Sequence, residues 1–281
     1  MLKRQDIRIR DPFILTDKEN GCYYMYGTTD LLENSLDARN TFSVYKTTDL
    51  ENFEDPRVVV DGAKLGFWAD RDFWAPEVHV YNGKYYLFGS CKADGKCRAT
   101  HIFVCDTPDG EFVPVSEAPA TPADWWCLDG TLWVENGVPY MVFCHEWAQI
   151  VEGTICAMPL TADLSAAAGD PILLFKATDN ADVELAHGRN NFEGYITDAP
   201  FLYIEDGKLR MIWSSKALGH YAVLMAESES GSVLGPWRHF GNCFDFDGGH
   251  AMIFETLEGK RMMALHSPNR RNEERASFFE F

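Results

Sequence analysis

Tyr195-Ile196-Thr197-Asp198-Ala199-Pro200-Phe201-Leu202-Tyr203 sets a carboxylate on a turn of small residues and follows it at once with strand formers. Glu205-Asp206-Gly207 then supplies a turn, and Leu209-Arg210-Met211-Ile212-Trp213 a second strand. The stretch is a β-hairpin with an acid at its mouth. One hairpin decides nothing, but this one recurs. Aligned on Pro12, Pro76, Gly130, Pro200 and His250, the chain repeats the pattern five times at intervals of 50 to 70 residues. Each anchor is followed by an apolar run: Phe13-Ile14-Leu15, Val78-His79-Val80, Leu132-Trp133-Val134, Phe201-Leu202-Tyr203 and Met252-Ile253-Phe254. Each run meets a turn with glycine (Gly21, Gly83, Gly137, Gly207, Gly259) and then another strand.

Further strand-like segments lie behind four of these hairpins, such as Phe42–Tyr45 with Arg57–Val60, and Ile102–Cys105 with Phe112–Val115. A repeat of four short strands is the unit of a propeller blade. The sequence therefore predicts an all-β, five-bladed β-propeller with four-stranded antiparallel blades, as a single domain over 1–281. The fifth repeat is short at its C-terminal end. Ala276–Phe281 and Asp6–Arg10 are the segments left to complete it, which would join the chain ends in one blade. Helical periodicity is weak, and Thr161–Ala168 is a short turn at most. In a propeller the starts of the innermost strands gather at one mouth of the central channel, so the five anchors are expected to converge.

Composition bounds the chemistry. The chain has 281 residues, 46% hydrophobic, which is ample for a packed core. Its formal net charge of −18 repels phosphate backbones and anionic membranes, so neither nucleic acid nor a membrane surface is expected as a partner. No window of eighteen apolar residues exists. Met1–Asp6 lacks the apolar core of a leader, which predicts a cytoplasmic location; a chain whose leader had been removed would look the same. The eight cysteines form no C-x-x-C pair. Cys22, Cys105, Cys144 and Cys156 lie in apolar runs, where a thiol serves as a small core residue. Reduced thiols are expected; Cys91 and Cys97 would bridge only in an oxidising compartment.

Three anchors carry an acid at or beside the shared position: Asp11 before Pro12, Asp129 before Gly130, and Asp198 two residues before Pro200. A single acid there is a turn former. Three at matching mouths of one ring suit glycoside cleavage, which needs one carboxylic acid to protonate the leaving oxygen and one carboxylate to activate water. Acids on different blades straddle a cavity. That suits an inverting enzyme, whose carboxyls stand about 6.5–9.5 Å apart with a water between them. Trp74, before the second anchor, offers a flat face for a sugar ring. His145 and Trp147 follow an inner hairpin and are candidates for the rim, as are Trp125 and Trp126. Glu77 is expected to be a structural hydrogen-bond partner. Arg210, Arg238, Arg270 and Arg271 could meet sugar hydroxyls, and nothing in their spacing selects among them.

Arg10-Asp11-Pro12-Phe13-Ile14, Trp74-Ala75-Pro76-Glu77-Val78, Asp129-Gly130-Thr131, Thr197-Asp198-Ala199-Pro200-Phe201 and Asp247-Gly248-Gly249-His250, in that order, resemble glycoside hydrolase family 43. The resemblance spans all five blades. It implies an inverting hydrolase of pentose glycosides, removing α-L-arabinofuranosyl or β-D-xylosyl units; the lack of a visible leader leans towards short imported oligosaccharides, and hence towards exo action. It implies Asp11 as general base, Asp129 as the residue that tunes and orients the acid, and position 198 as general acid. It places His250 near the channel axis, where many members hold calcium, another cation or water; no cofactor is required. The family's acid is normally glutamate, and here the position holds Asp198. Three accounts are open: the backbone brings aspartate close enough, Glu146 in Cys144-His145-Glu146-Trp147 takes the role, or the chain keeps sugar binding without hydrolysis. A non-catalytic carbohydrate-binding propeller and a propeller glycosidase for another sugar are the alternative functions.

Overall fold

The computed structural model describes residues 1–29, 40–188 and 192–281. Five antiparallel sheets follow one another along the chain as the blades of a β-propeller. Their innermost strands are Ile9–Asp17, Arg71–Tyr81, Cys127–Glu135, Asp198–Glu205 and Gly249–Glu255. The second strands are Cys22–Thr29, Lys84–Lys92, Val138–His145, Lys208–Ala217 and Arg261–Ser267. Two-residue loops with both residues at positive φ join three of these hairpins: Asn82–Gly83, Asn136–Gly137 and Asp206–Gly207. Asn-Gly and Asp-Gly favour this turn, whose twist matches that of the flanking strands.

Each blade is covered on both faces by its neighbours. Its central strands are therefore buried throughout rather than alternating; every residue of Cys22–Thr29 is buried. Trp213, Tyr26, Phe42, Phe88 and Phe143 fill the layers between blades. Thr161–Ala168 is a turn closed by a bridge between Leu160 and Ala167. The eight cysteines are unbridged. Among the described residues no helix is long and apolar enough to cross a membrane.

Ring closure differs from the sequence expectation. Blade five has three strands among the described residues, the third being Arg275–Glu280, and Asp6–Arg10 does not join it as a fourth. Ile9 and Arg10 already open blade one's innermost strand, opposite Thr29 and Thr28, while Leu2–Lys3 pairs with Asn52–Phe53 in the same blade. The ends meet instead through one backbone bond, from the Ile9 N–H to the Glu274 carbonyl at 3.3 Å, and through side chains. Glu274, wholly buried, takes Arg8 at 3.2 Å and Arg10 at 3.3 Å, and Arg4 donates to the carbonyl of Ala276 at 3.1 Å.

One local feature repeats in all five blades and positions the site. The innermost strand breaks register with its partner after Arg10, Trp74, Leu128, Asp198 and Gly249. The next residue is left-handed in every case: Asp11 (φ 54°), Ala75 (46°), Asp129 (55°), Ala199 (51°) and His250 (55°). None is glycine, so each bulge holds an L-residue in a sparsely populated conformation, a kind of strain that gathers at functional sites.

Candidate active site

The bulges open on a cavity of about 280 Å³ at one mouth of the channel. Blade one brings Arg10, Asp11 and Thr28, blade two Trp74, blade three Leu128, Asp129, Glu146 and Trp147, blade four Asp198 and Tyr221, and blade five His250. Two residues on from Asp11, the ring of Phe13 stands 5.3 Å from His79 and 6.5 Å from Phe201, so side chains of blades one, two and four meet there.

Asp11 is 8% exposed and heavily bonded. Its Oδ2 accepts from the Thr28 hydroxyl at 2.8 Å, and its Oδ1 lies 3.1 Å from His250 Nδ1. Its backbone N–H donates to His266 Nδ1 at 3.2 Å. That nitrogen is then an acceptor, and His266 Nε2 carries the proton towards Asn269 Oδ1 at 3.2 Å. Burial pushes the Asp11 carboxyl up, but the facing His250 and the Arg10 guanidinium at 3.9 Å pull the other way, and the carboxyl is held well below the usual carboxylate range. A carboxylate that stays ionised can serve as a base.

Asp198 has the opposite environment. Burial pushes its carboxyl up to about 7, with Asp11 and Glu146 adding repulsion against the opposing pull of the Tyr221 hydroxyl and of Arg10. Tyr221 donates to Asp198 Oδ2 at 3.0 Å and is itself stacked on His266, with ring centroids 5.7 Å apart. Asp129 is also pushed up, by burial first and then by the charges of Asp198 and Asp11. Its Oδ2 accepts the backbone N–H of Ala199 at 3.1 Å and lies 3.8 Å from His250 Nδ1. Two carboxyls pushed upward beside one held low make the split of roles that acid–base chemistry needs.

Of the aromatic candidates, Trp74 and Trp147 line the cavity. Trp74 carries the Arg98 guanidinium over its ring at 3.8 Å, and Arg98 also pairs with Asp72 at 3.0 Å and Glu146 at 3.1 Å. Glu146 therefore lines the cavity as part of a buried network. His145 does not line it: its ring stacks on Trp125 at 4.1 Å and bonds Gln149 at 2.8 Å, bracing the segment that carries Trp125 and Trp126. Glu77 is the structural partner expected, at 3.0 Å from His79. None of the four candidate arginines lines the cavity; Arg210 and Arg238 pair with Glu227, and Arg270 with Asp247. The arginine that does is Arg10, whose neighbour Asp11 drew the attention in sequence. Tyr221, Thr28 and Arg98 were missed. They lie outside the innermost strands, where no repeated motif marks them.

His250 was expected to face a central cation or water. Its Nδ1 is committed to Asp11, and among the described residues no three His, Cys, Asp or Glu side chains are grouped to hold a metal. The residues present do not fit an ion ligated directly by protein side chains, and no step below passes through one.

An endo-arabinase from Bacteroides thetaiotaomicron VPI-5482 superposes with a TM-score of 0.91 at 40% identity, covering 100% of this chain and 96% of that one. An α-L-arabinofuranosidase from Lactobacillus brevis shares the fold, with a TM-score of 0.75 at 18% identity, over 100% of this chain and 94% of that one. Among curated proteins, xylosidase/arabinosidase 43A of Humicola insolens is 27% identical over 138 residues; the match covers 46% of this chain and 41% of that protein's length. The family model described as glycosyl hydrolases family 43 matches residues 6–278. The chain belongs to glycosyl hydrolases family 43.

Proposed function

We propose that the protein is an inverting glycoside hydrolase of pentose-containing polysaccharides or oligosaccharides, with α-L-arabinofuranosyl linkages as its first substrate class and β-D-xylosyl linkages as the second. The observation that carries this reading is the trio Asp11, Asp129 and Asp198 around one cavity, with Asp11 held ionised and Asp198 raised to about 7. Asp11 takes a proton from water as the water attacks the anomeric carbon. Asp198 gives its proton to the departing glycosidic oxygen. Asp129, bonded to the Ala199 N–H next to Asp198, holds the backbone that carries the acid. Trp74 and Trp147 supply apolar wall for the sugar, and Arg10 reaches hydroxyls. No cofactor is invoked. The single-domain organisation over 1–281 is part of the same reading.

Exo action stands beside endo action. The likeness to an endo-arabinase at 40% identity favours cleavage within a chain. A panel of nitrophenyl α-L-arabinofuranoside, nitrophenyl β-D-xyloside, linear arabinan and xylan tests substrate and mode together. Activity on arabinan with oligomeric products is the endo outcome, and arabinose alone is the exo outcome. Binding without turnover on every member would make the protein a carbohydrate-binding propeller instead.

The pH dependence follows from Asp198. Its raised carboxyl is protonated below about 7 and lost as an acid above it, so turnover should fall on the alkaline side with that midpoint. The Tyr221 hydroxyl stabilises the ionised form, so Tyr221→Phe should move the alkaline limb to higher pH. A shift to lower pH, read from kcat against pH, would show that Tyr221 acts otherwise.

A further inference from the structure

The five bulges obey a rule with one exception. At each, the left-handed residue's N–H points out of the strand ladder and needs a partner. In four blades the partner is a side chain on the second strand of the preceding blade. Thr28 Oγ1 serves Ala75 at 2.8 Å, Ser90 Oγ serves Asp129 at 3.0 Å, Ser214 Oγ serves His250 at 2.8 Å, and His266 Nδ1 serves Asp11 at 3.2 Å. These four stand opposite Arg10, Trp74, Asp198 and Gly249, the residues just before each bulge. The corresponding residue of blade three, opposite Leu128, is Cys144, and it does not serve the next bulge. There the N–H of Ala199 goes to the carboxylate of Asp129 at 3.1 Å.

We propose that Cys144 is a positioning residue for the proposed hydrolysis: by declining the Ala199 N–H, it hands that donor to Asp129 and so ties Asp129 to the backbone beside the acid Asp198. A thiol is a weak acceptor where serine, threonine and histidine are good ones. Cys144 is wholly buried and stands opposite Leu128, the residue just before the Asp129 bulge. Thr28, Ser90, Cys144, Ser214 and His266 thus form a ring of five equivalent positions in which the one poor acceptor coincides with the one bulge whose donor a site carboxylate takes.

The proposal rests on the hydrolase reading, so its test has an arm independent of turnover. Cys144→Ser restores a good acceptor at nearly the same volume. The introduced hydroxyl should take the Ala199 N–H, and Asp129 should lose its anchor. Cys144→Ala removes the thiol without adding an acceptor. On a natural pentosan the serine variant is expected to lose about tenfold in kcat with KM little changed, the scale of one hydrogen bond to a charged group, and the alanine variant to retain several times more kcat than the serine variant. Equal losses in both variants would mean that Cys144 only packs, and would overturn the proposal. In the second arm the Ala199 amide is followed by 1H–15N NMR. Asp129→Asn should shift that resonance in the parent protein and leave it nearly still in the Cys144→Ser background. A shift of the same size in both backgrounds would overturn the proposal whether or not the protein turns out to be a hydrolase; failure of the whole substrate panel would instead sink the hydrolase reading.

Discussion

Replacing Asp11 with asparagine is expected to lower kcat on pentosan substrates by about 10⁴-fold with KM nearly unchanged, the upper range for removing a general base. The substitution is chosen to spare the fold. Asp11 sits at φ 54°, a conformation that asparagine tolerates as well as aspartate. Its N–H bond to His266 is made by the backbone and survives. The Thr28 hydroxyl can still donate to the amide oxygen. What disappears is the charge and the basic lone pair. The loss should be similar for activated and natural glycosides, because water must be deprotonated whatever the leaving group. A second signature separates a catalytic loss from a damaged site. The Asp11 charge helps to raise the Asp198 carboxyl, so in the residual activity the alkaline limb should move to lower pH. A variant that keeps within tenfold of the parent rate would remove Asp11 from the role of base.

The propeller was legible because its hairpins announce themselves: Asn82–Gly83, Asn136–Gly137 and Asp206–Gly207 occupy matching places in successive repeats. The same alignment brought Asp11, Asp129 and Asp198 together, although they lie on three blades. It worked because the bulge forces one backbone shape on all five blades, and the residues around it leave a periodic trace. The supporting shell left none. Tyr221 contacts Asp198 from a third strand, and Arg98 reaches Trp74 and Glu146 from a segment between strands. Neither position is repeated in kind elsewhere in the ring. The closure also escaped the reading, since Glu274 binds the N-terminal arginines through side-chain charge, which strand counting does not see.

The identity of the acid is the point at which sequence left alternatives open, and a pair of substitutions should divide them. Asp198→Asn is expected to cost about 10³-fold in kcat on pentosan and about tenfold or less on a nitrophenyl glycoside, whose leaving group needs little protonation. The variant keeps an acceptor for the Tyr221 hydroxyl, so the cavity wall should stay in place. Glu146→Gln is the comparison. Glu146 accepts from Arg98, which also holds Asp72 and covers Trp74, so its loss loosens a wall of the cavity rather than removing a proton donor. Its cost should therefore be about the same on both substrates. The ratio of the two losses is what decides. A large ratio for Asp198→Asn and a ratio near unity for Glu146→Gln make Asp198 the acid. The reverse pattern makes it Glu146. We expect the first, because the reach of the shorter side chain is set by where its backbone lies. Asp198 occupies the residue just before the blade-four bulge, the place that blade one gives to Arg10 and blade two to Trp74, both of which line the same cavity. With Asp198 already at the cavity wall, the expected result is that its shorter side chain meets the leaving oxygen without glutamate's extra methylene.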